Sequence, residues 1–211
     1  MIKNVIFDIG GVLVDWDPDR SFRECGADDA AIQKIREKMF APGVWLEEDL
    51  SIMQEEELSA FLKEKCEGYE REIEYLRNNF HTSVCQYPDT KEWIDHVHER
   101  GRKVYILSNF GKHCFEQVID THMDFLQMTD GAVISYREHK VKPDDDIYET
   151  LLDRYALKAK ECVFLDDLKD NLVTAERLGF KTILVRDRAA ARRELDNLLE
   201  ISDSDEFENL H

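Results

Sequence analysis

The stretch VIFDIGGV, residues 5–12, decides how the rest of the chain is read. Three apolar residues suited to a buried strand end abruptly on Asp8, and Gly10 and Gly11 follow almost at once. A carboxylate at the tip of a buried strand is costly unless the strand end uses it. Moving outward, four further apolar segments have the same character: KVYIL (103–107), CVFL (162–165), KTILV (181–185) and the weaker GAVISY (131–136). With IKNVIF (2–7) they make five short runs rich in β-branched residues, as strands buried on both faces require.

Helical patterns alternate with these runs. DTKEWIDHVHERG offers Asp89 as N-cap, Glu92 three residues later and Gly101 as a stop. DIYETLLDRYAL and DNLVTAERLGF fill the later gaps, the second ending at Gly179. The alternation predicts a doubly wound α/β fold with a parallel sheet. Between Asp15 and Val84 the rhythm stops, and the sequence is charged and helix-leaning without a convincing strand. That segment is too long for a loop. The expected organisation is an α/β core over 1–14 and 85–201, a helical cap over 15–84, and an acidic tail over 202–211.

The chain has 211 residues, 43% of them hydrophobic and 35% charged, with a formal net charge of −18. Such a charge argues against nucleic acid and anionic membranes as partners, since both require basic surface. The five cysteines are scattered, form no C-x-x-C pair and suit a reduced, cytoplasmic protein. No apolar run is long enough to span a bilayer, and residues 1–20 lack the features of a signal peptide.

In an open parallel sheet, ligands bind beyond the carboxyl ends of the strands. Those ends carry Asp8, Ser108 with Asn109, and Asp166 with Asp167, while HKVKPDDD supplies Lys142. Each has an ordinary explanation as a helix cap or a loop residue, but all would have to coincide at one sheet edge. Together they suit phosphoryl transfer. Asp8 can attack phosphorus and form an aspartyl-phosphate that water later cleaves. Clustered acids of the Asp8 and Asp167 kind call for a hard cation, and Mg²⁺ fits. Mg²⁺ and Lys142 would neutralise the transferring group, with Ser108 and backbone amides holding its oxygens.

The ordered set FDIGGVL, ILSN, VKPD and FLDDLKDN resembles the haloacid dehalogenase superfamily, most of whose members are Mg²⁺-dependent phosphatases. The resemblance, extended by AERLGFKTILV, covers nearly everything outside the cap and tail. It implies strand order 5-4-1-2-3 and a cap inserted after the first strand that selects substrate. It implies further that Asp8 is nucleophile and metal ligand, joined by the Gly10 backbone carbonyl and Asp167. Ser108, Asn109 and Lys142 would bind phosphate, and Asp166 and Asn171 would support metal and lysine.

Gly10 departs from the family pattern, which places a general-acid aspartate there. The form D-x-G-G-V-L-V-D resembles the branch holding a glucose-1-phosphate phosphatase and the phosphatase domain of epoxide hydrolases. Asp15 or Asp17 could fold back to supply the proton, or could be loop acids flanking Pro18. A sugar-1-phosphate would need less help, because an anomeric hydroxyl is the more acidic leaving group. The expected substrate is a small phosphorylated metabolite, and the expected state a monomer or homodimer. The alternatives are a phosphate-binding or regulatory protein with little turnover, or a haloacid dehalogenase. His96 and His98 lie two apart on a predicted helix and do not share a face. Trp45 reads as cap core or as a platform roofing the site.

Overall fold

The computed structural model describes the backbone of residues 1–208 and the side chains of residues 1–200. Among the described residues, five parallel strands form the main sheet: β1 (Asn4–Phe7), β4 (Lys103–Ser108), β5 (Gly131–Ile134), β6 (Cys162–Asp166) and β7 (Lys181–Leu184). Their spatial order is β5-β4-β1-β6-β7. Counted along the chain within this sheet, that is 5-4-1-2-3 read from the other edge. β1 is central, with Val5 opposite Val104 on one side and Val163 on the other.

Every residue of β1 is buried, which is why its sequence is an unbroken apolar run and not an alternation. Val5 and Phe7 face one layer while Ile6 faces the other. The first layer includes α6 (Thr90–Glu99), whose Trp93 meets Phe7 edge-on at 5.0 Å. The second holds α9 (Asp145–Arg154) and α10 (Lys169–Arg177), where Tyr148 packs against Phe164. The sheet is therefore wound on both faces.

The segment between β1 and β4 departs from expectation at both of its roots. Val14–Trp16 (β2) and Val84–Gln86 (β3) form an antiparallel ribbon, with Asp15 opposite Cys85. Both boundaries expected from the sequence, after residue 14 and before residue 85, fall inside this ribbon. Three-residue strands are too short to display a period, so the sequence pattern could not reveal them. Between them lie α1 (Pro18–Glu24), α2 (Asp29–Met39), α3 (Val44–Leu50), α4 (Glu55–Lys65) and α5 (Glu70–Asn78). Their buried residues, among them Phe22, Ile35, Leu62 and Leu76, belong to the same apolar cluster as one face of the sheet.

Two smaller differences concern helix ends. Asp89 precedes α6 but makes no side-chain capping bond. Its carboxylate instead pairs with Arg188, whose Nε donates to the Val12 carbonyl at 2.9 Å and ties the Asp8 loop to the last helix. That helix, α11 (Arg188–Glu208), extends into the segment expected as a tail; the remainder of the expected tail, 209–211, lies outside the described residues. No helix among the described residues is long and apolar enough to cross a membrane. All five cysteines are free, and only Cys85 is exposed.

Candidate active site

Asp8 follows β1, Ser108 closes β4 and Asp166 closes β6, so adjacent strand ends bring them to one edge of the sheet. Lys142 arrives from the loop between α8 (Ser135–Glu138) and α9. Its backbone is clamped by Asn109: the Lys142 amide donates to Asn109 Oδ1 at 2.8 Å, and Asn109 Nδ2 donates to the Lys142 carbonyl at 3.0 Å. The Lys142 ammonium, 2% exposed, lies 2.9 Å from Asp8 Oδ1 and 2.7 Å from Asp166 Oδ2. It also donates to the Leu107 carbonyl at 3.1 Å. Burial alone would depress its pKa, but Asp166 and Asp8 outweigh that and push it up.

Asp166 is fully buried and fully occupied. It accepts from Lys142, from the Leu168 amide at 2.8 Å, and from Asn171 Nδ2 at 3.0 Å to each oxygen. Burial pushes the Asp8 carboxyl up and the Lys142 charge pulls it back, with Asp166 adding to the rise and the adjacent Ser108 hydroxyl opposing it. Ser108 is 1% exposed and is not part of the cavity wall; Asn109 is.

Carboxylate oxygens of Asp8, Asp166 and Asp167 lie within 4.8 Å of one another. Asp167 stays open to the cavity, yet the enclosing walls and then the charges of Asp8 and Asp166 raise its carboxyl to about 7. Its approach to the loop explains one glycine. A Cβ at Gly11 would stand 2.6 Å from Asp167 Oδ2, on a backbone with φ of +70°. Gly10 differs: a Cβ there would meet only Trp16 Cβ, at 4.0 Å, so the position has room for a side chain. With one carboxylate already committed to Lys142, the remaining oxygens of Asp8 and Asp167 suit a hard divalent cation.

These groups floor a cavity of about 640 Å³ beneath α3, which contributes Trp45, Leu46 and Asp49 to its wall. The wall is largely apolar. Trp16 and Trp45 stack at 6.2 Å, Phe40 meets Trp16 edge-on at 5.7 Å, and Phe80 meets Phe110 at 5.5 Å. Trp45 thus serves both readings made of it, packed in the insertion and exposed to the cavity on one face.

The structure does not bring Asp15 to the site. It sits in the ribbon, 2.9 Å from Arg20 Nη1, and is not part of the cavity wall. Asp17 caps α1, accepting from the Asp19 amide at 3.0 Å. His96 and His98 are paired separately, with Asp196 and Asp130. Asp49 was not anticipated, because within WLEEDL nothing distinguishes it from its acidic neighbours.

A family model described as haloacid dehalogenase-like hydrolase matches residues 2–179. Bifunctional epoxide hydrolase 2 of Sus scrofa is 34% identical over 109 residues, 52% of this chain; the matched part is 17% of the pig protein's length. Sesquiterpene phosphatase astK of Aspergillus oryzae is 25% identical, with 93% of this chain and 96% of that one covered. D-ribitol-5-phosphate phosphatase of Bacteroides thetaiotaomicron is 26% identical, covering 94% and 99%. Among solved structures, a family enzyme of Bacteroides thetaiotaomicron in complex with magnesium and inorganic phosphate superposes with a TM-score of 0.69 at 22% identity. It covers 87% of this chain and 94% of its own.

Proposed function

This chain belongs to the haloacid dehalogenase-like hydrolases, and from that premise we propose that it is a Mg²⁺-dependent phosphatase of a small phosphorylated metabolite, working through an aspartyl-phosphate on Asp8. One observation carries the reading: a buried lysine held between two carboxylates, with a third beside them. Full-length relatives named as phosphatases support it.

Lys142 opposes the upward push that burial gives the Asp8 carboxyl, and offers its charge to an incoming phosphate. Asp166 holds Lys142 in place, and Asn171 and the Leu168 amide hold Asp166. Asp8, Asp167 and the Gly10 carbonyl would hold Mg²⁺, which when bound neutralises charge on the transferring phosphoryl group. Asp8 attacks phosphorus, with Asn109 at the cavity wall to meet phosphate oxygens and the buried Ser108 hydroxyl supporting the Asp8 carboxylate.

Among small phosphorylated metabolites, the wall favours an alcohol with a large apolar face over the sugar-1-phosphate that leaving-group acidity suggested. Trp16, Phe40, Trp45, Phe80 and Phe110 offer hydrophobic area and few partners for a ring of hydroxyls. The test is phosphate release from a prenyl monophosphate and from glucose-1-phosphate, with Mg²⁺ and with chelator, on wild type and Asp8→Asn. The expected result is turnover that requires both Mg²⁺ and Asp8 and prefers the prenyl ester. Preference for the sugar would overturn the substrate reading. Halide release from a haloacid without Mg²⁺, or phosphate binding without turnover, would overturn the phosphatase.

A further inference from the structure

Two neighbouring acids of α3 are buried against the core, and only one has a structural reason to be there. Glu48 is fully buried in an ion pair with Arg77 of α5, Nε to Oε2 at 2.7 Å, and accepts from the Cys114 thiol at 3.4 Å. Asp49 is 8% exposed, and its carboxyl makes no hydrogen bond or ion pair among the described residues. Only its backbone is engaged, the carbonyl accepting from Ser135 Oγ at 2.7 Å. An unpartnered carboxyl in such a place is costly and gains nothing for the fold.

Its position is nevertheless fixed. Beside the Ser135 bond, His139 Nδ1 lies 2.9 Å from the Leu50 carbonyl. Ser51 Oγ donates to the Glu48 carbonyl at 2.8 Å and accepts from the Lys112 amide at 2.9 Å. Gly111 allows this approach, since a Cβ there would stand 2.4 Å from the Glu48 carbonyl oxygen. The carboxyl end of α3 is thereby fastened to the sheet side of the cavity. Asp49 lines that cavity together with Asp8, Gly10, Asn109, Lys142 and Asp167.

We propose that Asp49 is the acid that protonates the leaving oxygen, replacing from the insertion the side chain that Gly10 lacks. Burial, and then the charge of Glu48, lift its carboxyl well above the usual range; Lys142 opposes this and Asp8 adds to it. A carboxyl so placed holds its proton more firmly than a solvated one, as a general acid requires. The inference rests on the phosphatase reading above. In the first step an Asp8 oxygen forms a bond to phosphorus and the phosphorus–alcohol bond breaks, while the Asp49 proton passes to the departing alkoxide. In the second, water attacks the aspartyl-phosphate and gives its proton to the Asp49 carboxylate. The phosphorus–Asp8 bond breaks, inorganic phosphate leaves, and both carboxyls return to their starting states.

The test compares two esters on the same protein, with Mg²⁺ present. A primary-alkyl phosphate needs its leaving oxygen protonated, whereas p-nitrophenyl phosphate releases a stable phenolate. Asp49→Asn is expected to lower kcat/KM on the alkyl ester by about 10²–10⁴-fold and to leave kcat/KM on the nitrophenyl ester within about tenfold. This parameter reports only the steps through alcohol release and not the later hydrolysis shared by both esters. Because both rates come from one preparation, a folding defect would lower them alike and cannot imitate the split. Adding Gly10→Asp to Asp49→Asn is expected to recover part of the alkyl-ester rate, since position 10 has room. Equal losses on both esters, or no loss on the alkyl ester, would overturn the role of Asp49. Wild type that releases phosphate from neither ester would overturn the phosphatase reading, and this inference with it.

Discussion

Asp8, Lys142, Asp166 and Asp167 are more easily understood as one charge distribution than as four residues. Lys142 brings one positive charge to two of the three carboxylates, and Asp167 stands beside them with no ion pair of its own among the described residues. Like charges at this range oppose folding of the metal-free protein, and a divalent ion held there would relieve the repulsion. Asp167→Asn is therefore expected to raise the Tm of the metal-free protein and abolish the upward shift that Mg²⁺ gives the wild type. It should also remove phosphatase activity. Differential scanning fluorimetry with Mg²⁺ and with chelator checks the first two outcomes. An unchanged or lower metal-free Tm would mean that Asp167 is not under repulsion.

At the scale of the element, α3 does the most for the site while being among the shortest helices in the chain. It has no side-chain cap at its start, so its place depends on tertiary contacts and not on helix propensity. The Glu48–Arg77 pair is the main buried polar link between α3 and α5. Arg77 also reaches Glu55 of α4, Nη2 to Oε1 at 2.9 Å. Removing one partner of a buried pair leaves an uncompensated charge, costing about 3–5 kcal/mol. Arg77→Met should lower stability by about that much in denaturant unfolding, whereas Arg77→Met with Glu48→Gln should recover part of the loss. If the double variant is no better than the single one, the pair is not what holds α3.

For the whole molecule, the net charge of −18 works against an anionic substrate. The cavity answers with Lys142 at its floor, but approach from solvent occurs in the global field. Raising ionic strength from about 0.01 M to about 0.15 M shortens the Debye length from about 30 Å to about 8 Å. With a phosphate dianion as substrate, kcat/KM is expected to rise over that range, the reverse of an enzyme with a steering basic patch. A fall with salt would place attractive charge at the cavity mouth that outweighs the net field.

The sequence alone determined the sheet and the rim of acids at its edge. Runs such as VIF and CVFL are apolar without alternation because both faces of a central parallel strand are buried, and that signal is local. Acids at the ends of those runs were legible for the same reason, since topology then places them at one edge, and Lys142 was legible from the loop stretch HKVKPDDD. What lies between Asp15 and Val84 was legible only as helical. The ribbon of β2 and β3 is too short to show a period, and Asp89 resembles a cap until Arg188, remote in sequence, takes its carboxylate. Asp15 looked well placed by its nearness to Asp8 along the chain, but the ribbon turns it toward Arg20. Asp49, more than forty residues from Asp8 in sequence, reaches the cavity because Ser135, His139 and Gly111 admit and fasten α3. Such placement comes from long-range packing, which a local pattern of charges does not encode.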